Sequence, residues 1–161
     1  MNKKISSLFG ISKNSLRQWQ LNSKRKPYIE LLELVSSEID SELCHQLISM
    51  IDNDGSVRAI DLSRFLGIDA PFVDITEIHA RTMRRWFDEP AKVKQTCAFL
   101  FGFHLKMRKY IAQDCGVTVF QFREVESKLK LDAGVSVRWY LLSPEPFIRW
   151  VEPVVNGVLK P

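Results

Sequence analysis

The stretch AKVKQTCAFLFGFHLKMRKYIAQ, from Ala91 to Gln113 behind Pro90, constrains the fold more than any other. Helical spacing turns Val93, Cys97, Leu100, Phe101, His104 and Leu105 inward, and the stretch is apolar on most of its sides. A helix of that kind belongs at the centre of a core. Pro90 suits its entry, because proline is tolerated in a first helical turn. The longest apolar run within it, CAFLFGF, is too short to span a bilayer. The other amphipathic segments also read as helices. Pro27 opens PYIELLELVSSEI, with Tyr28, Leu31, Leu32 and Val35 on one stripe, and SELCHQLISMI (Ser41 to Ile51) follows. The expected fold class is mainly α, built around the long helix.

Near the N-terminus, KKISSLFG places Ile5, Leu8 and Phe9 at helical spacing. Gly10 ends that helix, because it accepts positive φ without steric cost. Ser12 can cap a second helix, in which Leu16 and Trp19 share a face. With the small Ser6 four residues before Gly10, this pattern resembles the helix-turn-helix of bacterial regulators, phage proteins and transposases. The resemblance rests on Ile5, Ser6, Phe9, Gly10, Ile11, Leu16 and Trp19, and covers residues 2 to 22. With Leu16 and Trp19 inward, Asn14, Arg17, Gln18 and Leu21 face outward. Asn and Gln can pair with adenine in the major groove, and Arg with guanine. Lys3, Lys4, Lys13, Lys24, Arg25 and Lys26 suit phosphate contacts, which set affinity rather than sequence choice.

An echo follows. IHARTMRRWF (Ile78 to Phe87) puts Met83 in the place of Leu16, Trp86 in that of Trp19, and Arg81, Arg84 and Arg85 outward. LSRFLGI (Leu62 to Ile68) matches ISSLFGI, but DAPFVDITE separates the two halves, and Asp74 with Glu77 suggests a fresh helix cap. The second unit is therefore either a helix-turn-helix with an enlarged turn or a diverged copy. The expected organisation is a unit over 1–55, a second over 56–113, and a C-terminal packing or oligomerisation segment over 114–161. In that segment, Ala112, Gly116, Val117, Phe122 and Val125 repeat the first motif's phase, although Val117 to Phe122 could equally form a strand. Asp132-Ala133-Gly134 reads as the turn of a small β-hairpin. Ser143-Pro144 opens a helix that Pro153 should stop or bend.

Charge is distributed unevenly. Residues 1–28 hold seven basic side chains and no acid, residues 29–77 hold eleven acids against Arg58 and Arg64, and the rest hold fourteen bases and eight acids. A basic end beside an acidic middle suggests one face for a polyanion and another for a different partner. DNDG (Asp52 to Gly55) fails as a calcium loop, because Met50 would occupy the first ligand position and the closing Glu is missing. It reads as a polar turn. Cys44, Cys97 and Cys115 form no CxxC pair, and His45, His79 and His104 stand apart from them. That leaves no metal site, no catalytic residues and no cofactor motif, and fits a reducing cytoplasm. The expectation is a sequence-specific protein of double-stranded DNA, a transcriptional or mobile-element regulator with two tandem units. It could dimerise through its C-terminal part and has no membrane role. The alternative is a phage- or plasmid-borne adaptor that binds a protein through the acidic middle.

Overall fold

The computed structural model describes residues 3–53, 57–68 and 80–160. Among the described residues there is no strand. The helices are α1 (Lys3–Phe9), α2 (Lys13–Leu21), α3 (Lys26–Ser37), α4 (Glu42–Asn53), α5 (Ala59–Phe65), α6 (Ala80–Asp88), α7 (Val93–Cys115), α8 (Val119–Leu129), α9 (Ala133–Leu142) and α10 (Pro144–Leu159). None of them is long and apolar enough to cross a membrane.

The long helix α7 is the hub. Every residue from Thr96 to Leu105 is buried, so its whole circumference is covered there. Helices α1, α3, α4, α5, α6, α8, α9 and α10 all pack on it. Helix α3 crosses α7 at Gly102, where a Cβ would stand 2.6 Å from the Leu31 carbonyl oxygen. One apolar cluster runs from Ile5 of α1 to Val155 of α10.

The two tryptophans of the repeated motif meet inside this core. Trp86 stacks on Phe99 with centroids 5.0 Å apart, and Trp19 meets the same ring edge-on at 5.7 Å. Tyr28 closes the group, 5.6 Å from Trp19 and 5.8 Å from Trp86. The backbone repeats as well. Asn22 and Glu89 each return an amide to the carbonyl of their tryptophan at 3.3 Å. Each begins one turn of 3-10 helix, with φ, ψ of −106°, 110° and −101°, 107°. Arg25 and Lys92 then lead into α3 and α7 at −100°, 8° and −105°, 11°. The tandem units thus share a tryptophan helix, a connector and a core helix, and they pack together through α3 and α7. The enlarged turn of the second unit, with Asp74 and Glu77, lies outside the described residues. Of the polar turn expected at Asp52 to Gly55, Asp52 and Asn53 end α4, with Asp52 held by Lys94 at 2.9 Å, while Asp54 and Gly55 lie outside the described residues.

Three C-terminal expectations need correction or resolution. The proposed hairpin is helix. Lys130 closes α8 at φ 54°, with the Leu131 amide on the Glu126 carbonyl, and Asp132 then enters α9. Gly134 serves a close approach rather than a turn, since a Cβ there would lie 2.2 Å from the Phe65 carbonyl oxygen. Val117 to Phe122 is not a strand either: Thr118 and Gln121 form a reciprocal capping box that starts α8. Pro153 does not stop α10, which continues to Leu159. Pro153 lies on the exposed side, where a carbonyl left without an amide partner can meet water, while Phe147, Val151 and Val155 carry the buried stripe past it.

Candidate nucleic-acid interface

Local chemistry builds the outward helix. Gly10 turns the chain at φ 64°, in the left-handed region that side chains with a Cβ avoid. The Ser6 hydroxyl donates to the Ile11 carbonyl at 2.5 Å and ties the turn to α1. The Ser12 side chain accepts from the Ser15 amide at 3.0 Å and caps α2. Leu16 is buried and Trp19 half-buried, so α2 is fixed along one edge only. Its remaining face is open to solvent. Lys13, Asn14, Arg17 and Gln18 are exposed, and Leu21 at its tip is 80% exposed. No described residue forms an ion pair or hydrogen bond with the Arg17 side chain.

The flanking bases divide into two kinds. Lys3, Lys24 and Lys26 are exposed and make no ion pair with a described residue. Lys4 reaches Asp40 at 2.9 Å, and this contact holds the Asp40 carboxyl below its usual value. The Arg25 guanidinium donates to the Tyr28 hydroxyl at 2.8 Å, so it also braces the start of α3. In the second unit, Trp86 is buried while Arg81 and Arg85 are exposed, and Arg85 lies 4.0 Å from Glu89. The Arg84 side chain lies outside the described residues.

The acidic middle is partly neutralised from within. Glu38 takes Arg123 at 2.7 Å, Asp40 takes Lys4, and Asp52 takes Lys94. Several of its charges therefore stitch the middle of the chain to both ends. Among the described residues no group of His, Cys, Asp or Glu could hold a metal ion. The three cysteines are unbridged. No protein-family model, curated protein or solved structure matches the chain.

Spacing along the sequence turned His104 inward but overlooked Arg108, one helical turn further on. Both are buried. Arg108 pairs with Glu126 of α8, a contact between two buried side chains 18 residues apart. The signal available in the sequence was a charge inside the apolar register of α7. The His104 Nδ1 lies 2.8 Å from the Leu66 carbonyl oxygen. A carbonyl can only accept, so Nδ1 carries the proton and Nε2 the lone pair. Burial, reinforced by the Arg108 charge, pushes the imidazole down to about 3, against the opposing pull of the carbonyl bond. The sign follows from the depressed value. Between about pH 6.5 and 3 the unfolded chain binds a proton that the folded chain refuses, so stability is complete above that window and lost as pH falls through it. At pH 5 the loss from this one group is about 2 kcal/mol. Urea unfolding at pH 7 and pH 5 should show that loss in the parent but not in His104→Asn, which keeps a donor near Nδ1. Equal losses in both proteins would mean that His104 is not held neutral.

Proposed function

We propose that this chain binds double-stranded DNA through α2 and acts as a regulator of transcription or of a mobile element in the cytoplasm. The observation that carries this reading is the outward face of α2. It presents Lys13, Asn14, Arg17 and Gln18 beside Leu21 and contains no acid, on a helix anchored only by Leu16 and Trp19. A helix with its side chains is about 10–12 Å across, which suits a major groove about 12 Å wide. Arg17 would read guanine, Asn14 and Gln18 adenine, and Leu21 a thymine methyl group. Lys3, Lys13, Lys24 and Lys26 would meet phosphates. Arg81 and Arg85 offer a second contact from α6, so one chain could engage two grooves as a dimer of single units does. The internal pairing of Glu38, Asp40 and Asp52 weighs against the adaptor reading, because those acids already have partners.

The test begins with selection of bound sites from random duplexes. Arg17→Ala should then weaken the selected site by roughly 1–3 kcal/mol and a random duplex much less. Lys24→Ala should weaken both alike and flatten the salt dependence by about one unit of slope. Equal losses on both duplexes from Arg17→Ala would reduce the interface to nonspecific attraction. Failure of the parent to bind any duplex at low salt would sink the proposal in favour of a protein partner.

A further inference from the structure

Helices α8 and α9 repeat the turn between α1 and α2 residue for residue. The first helix ends at Phe9 in one and at Leu129 in the other. A left-handed residue follows, Gly10 at φ 64° and Lys130 at φ 54°. Ser12 and Asp132 then enter the next helix with φ, ψ of −65°, 145° and −73°, 148°. Trp139 stands where Trp19 stands, and Pro144 lies in the first turn of α10 as Pro27 does in α3. The C-terminal part is thus a third copy of the unit. The tryptophans of the first two copies cover each other's units, since both meet Tyr28 and Phe99. Among the described residues Trp139 meets only rings of its own copy, Phe147 at 5.6 Å and Trp150 at 4.8 Å. Trp150 remains 45% exposed.

The exposed side of α10 carries a regular apolar seam. Pro146, Trp150, Pro153 and Gly157 all reach solvent. Their spacing of four, three and four residues is that of a coiled-coil seam. Phe147, Val151 and Val155 turn to the core on a different side of the helix, so packing within the chain leaves the seam open. Trp139 braces the Trp150 ring, and a Cβ at Gly157 would meet nothing within 4 Å.

A reversed copy of the same helix matches this seam. Setting Trp150 against Pro153 of the copy also sets Pro146 against Gly157, where no side chain competes for the space. The same register brings Glu145, in the first turn of one helix, beside Lys160 at the end of the other. Both side chains are exposed. A twofold axis makes that contact twice, because residue i then meets j and j meets i. Opposite ends of the two helix dipoles also come together.

We propose that two copies of this chain pair through the α10 seam, antiparallel about a twofold axis. Helix α10 is only about 24 Å long. The pair therefore buries less than a standard interface of roughly 1,600 Å², and the dimer forms in the micromolar range. The surface uses neither α2 nor α6, so this proposal stands apart from DNA binding.

Sedimentation of the full chain from roughly 5 to 500 μM covers the affinity of such an interface. The parent should pass from monomer to dimer over that range. Trp150→Ala should weaken the dimer by roughly tenfold or more, as loss of a central tryptophan does. Glu145→Lys and Lys160→Glu change exposed side chains only. Each turns two attractions into two repulsions and should weaken self-association by roughly fivefold. An equimolar mixture of these two variants should recover the parent's association, because every such contact then joins opposite charges. Recovery would also show that both variants are folded. A parent that stays monomeric throughout would overturn the proposal. So would Trp150→Ala or either charge variant associating like the parent, or a mixture that associates no better than its components.

Discussion

Arg108→Met should destabilise the protein by about 3–5 kcal/mol, and Arg108→Met combined with Glu126→Leu should recover most of that loss. The pair is buried, with each side chain under a tenth exposed. Removing the arginine alone strands a carboxyl that burial already pushes upward and that Arg108 had been pulling back down. Removing both ends takes away the desolvation cost along with the attraction, which is why buried pairs can often be replaced by apolar groups without loss. A double-mutant cycle in urea measures both quantities. A single variant as stable as the parent would mean that Glu126 finds another partner or reaches water.

Gly102→Val should cost about 3 kcal/mol or more, and Gly102→Ala roughly 1–2 kcal/mol. Alanine is the better helix former by about 1 kcal/mol, so local propensity alone predicts a gain. The tertiary term has the opposite sign. The added carbon would meet the Leu31 carbonyl oxygen at 2.6 Å and the Leu31 Cβ at 2.9 Å. Backbone on α3 cannot swing aside as a side chain can, so the crossing of α3 and α7 must open. Thermal melts of the two variants decide between the terms. A raised melting temperature for Gly102→Ala would show that the crossing can yield.

The features legible in the sequence are those fixed within a few residues. The turn at Gly10, the cap at Ser12 and the burial of Leu16 all follow from local sterics and hydrogen bonding. The same is true of the stripe Tyr28, Leu31, Leu32 and Val35. The central place of α7 was legible because no helix apolar on most sides can lie at a surface. Gly134 misled because its reason is distant: it lets α9 approach Phe65, almost seventy residues earlier. Of the two outcomes expected at Pro153, the stop does not occur, because burial on the opposite face outweighs one lost backbone bond. On α2, spacing identified which side chains reach solvent. It had no means of finding that Lys4 and Arg25 have partners within the fold, or that Arg108 pairs with Glu126. Those relations join residues that only the packed chain brings together.

The crossing of α3 on α7 also has a consequence for synthesis. The chain emerges N-terminus first, so α1, α2 and α3 exist before the helix that covers them. At about 5–20 residues per second, the roughly 65 residues between the end of α3 and the middle of α7 take about 3–13 s to add. Throughout that interval Leu31, Leu32 and Val35 have no floor, and the nascent segment is open to chaperones and to misassociation with its neighbours. A fragment ending near residue 40 freezes the chain at this stage. Trp19 of α2 likewise gains its edge-on contact with Phe99 only after translation has passed that residue.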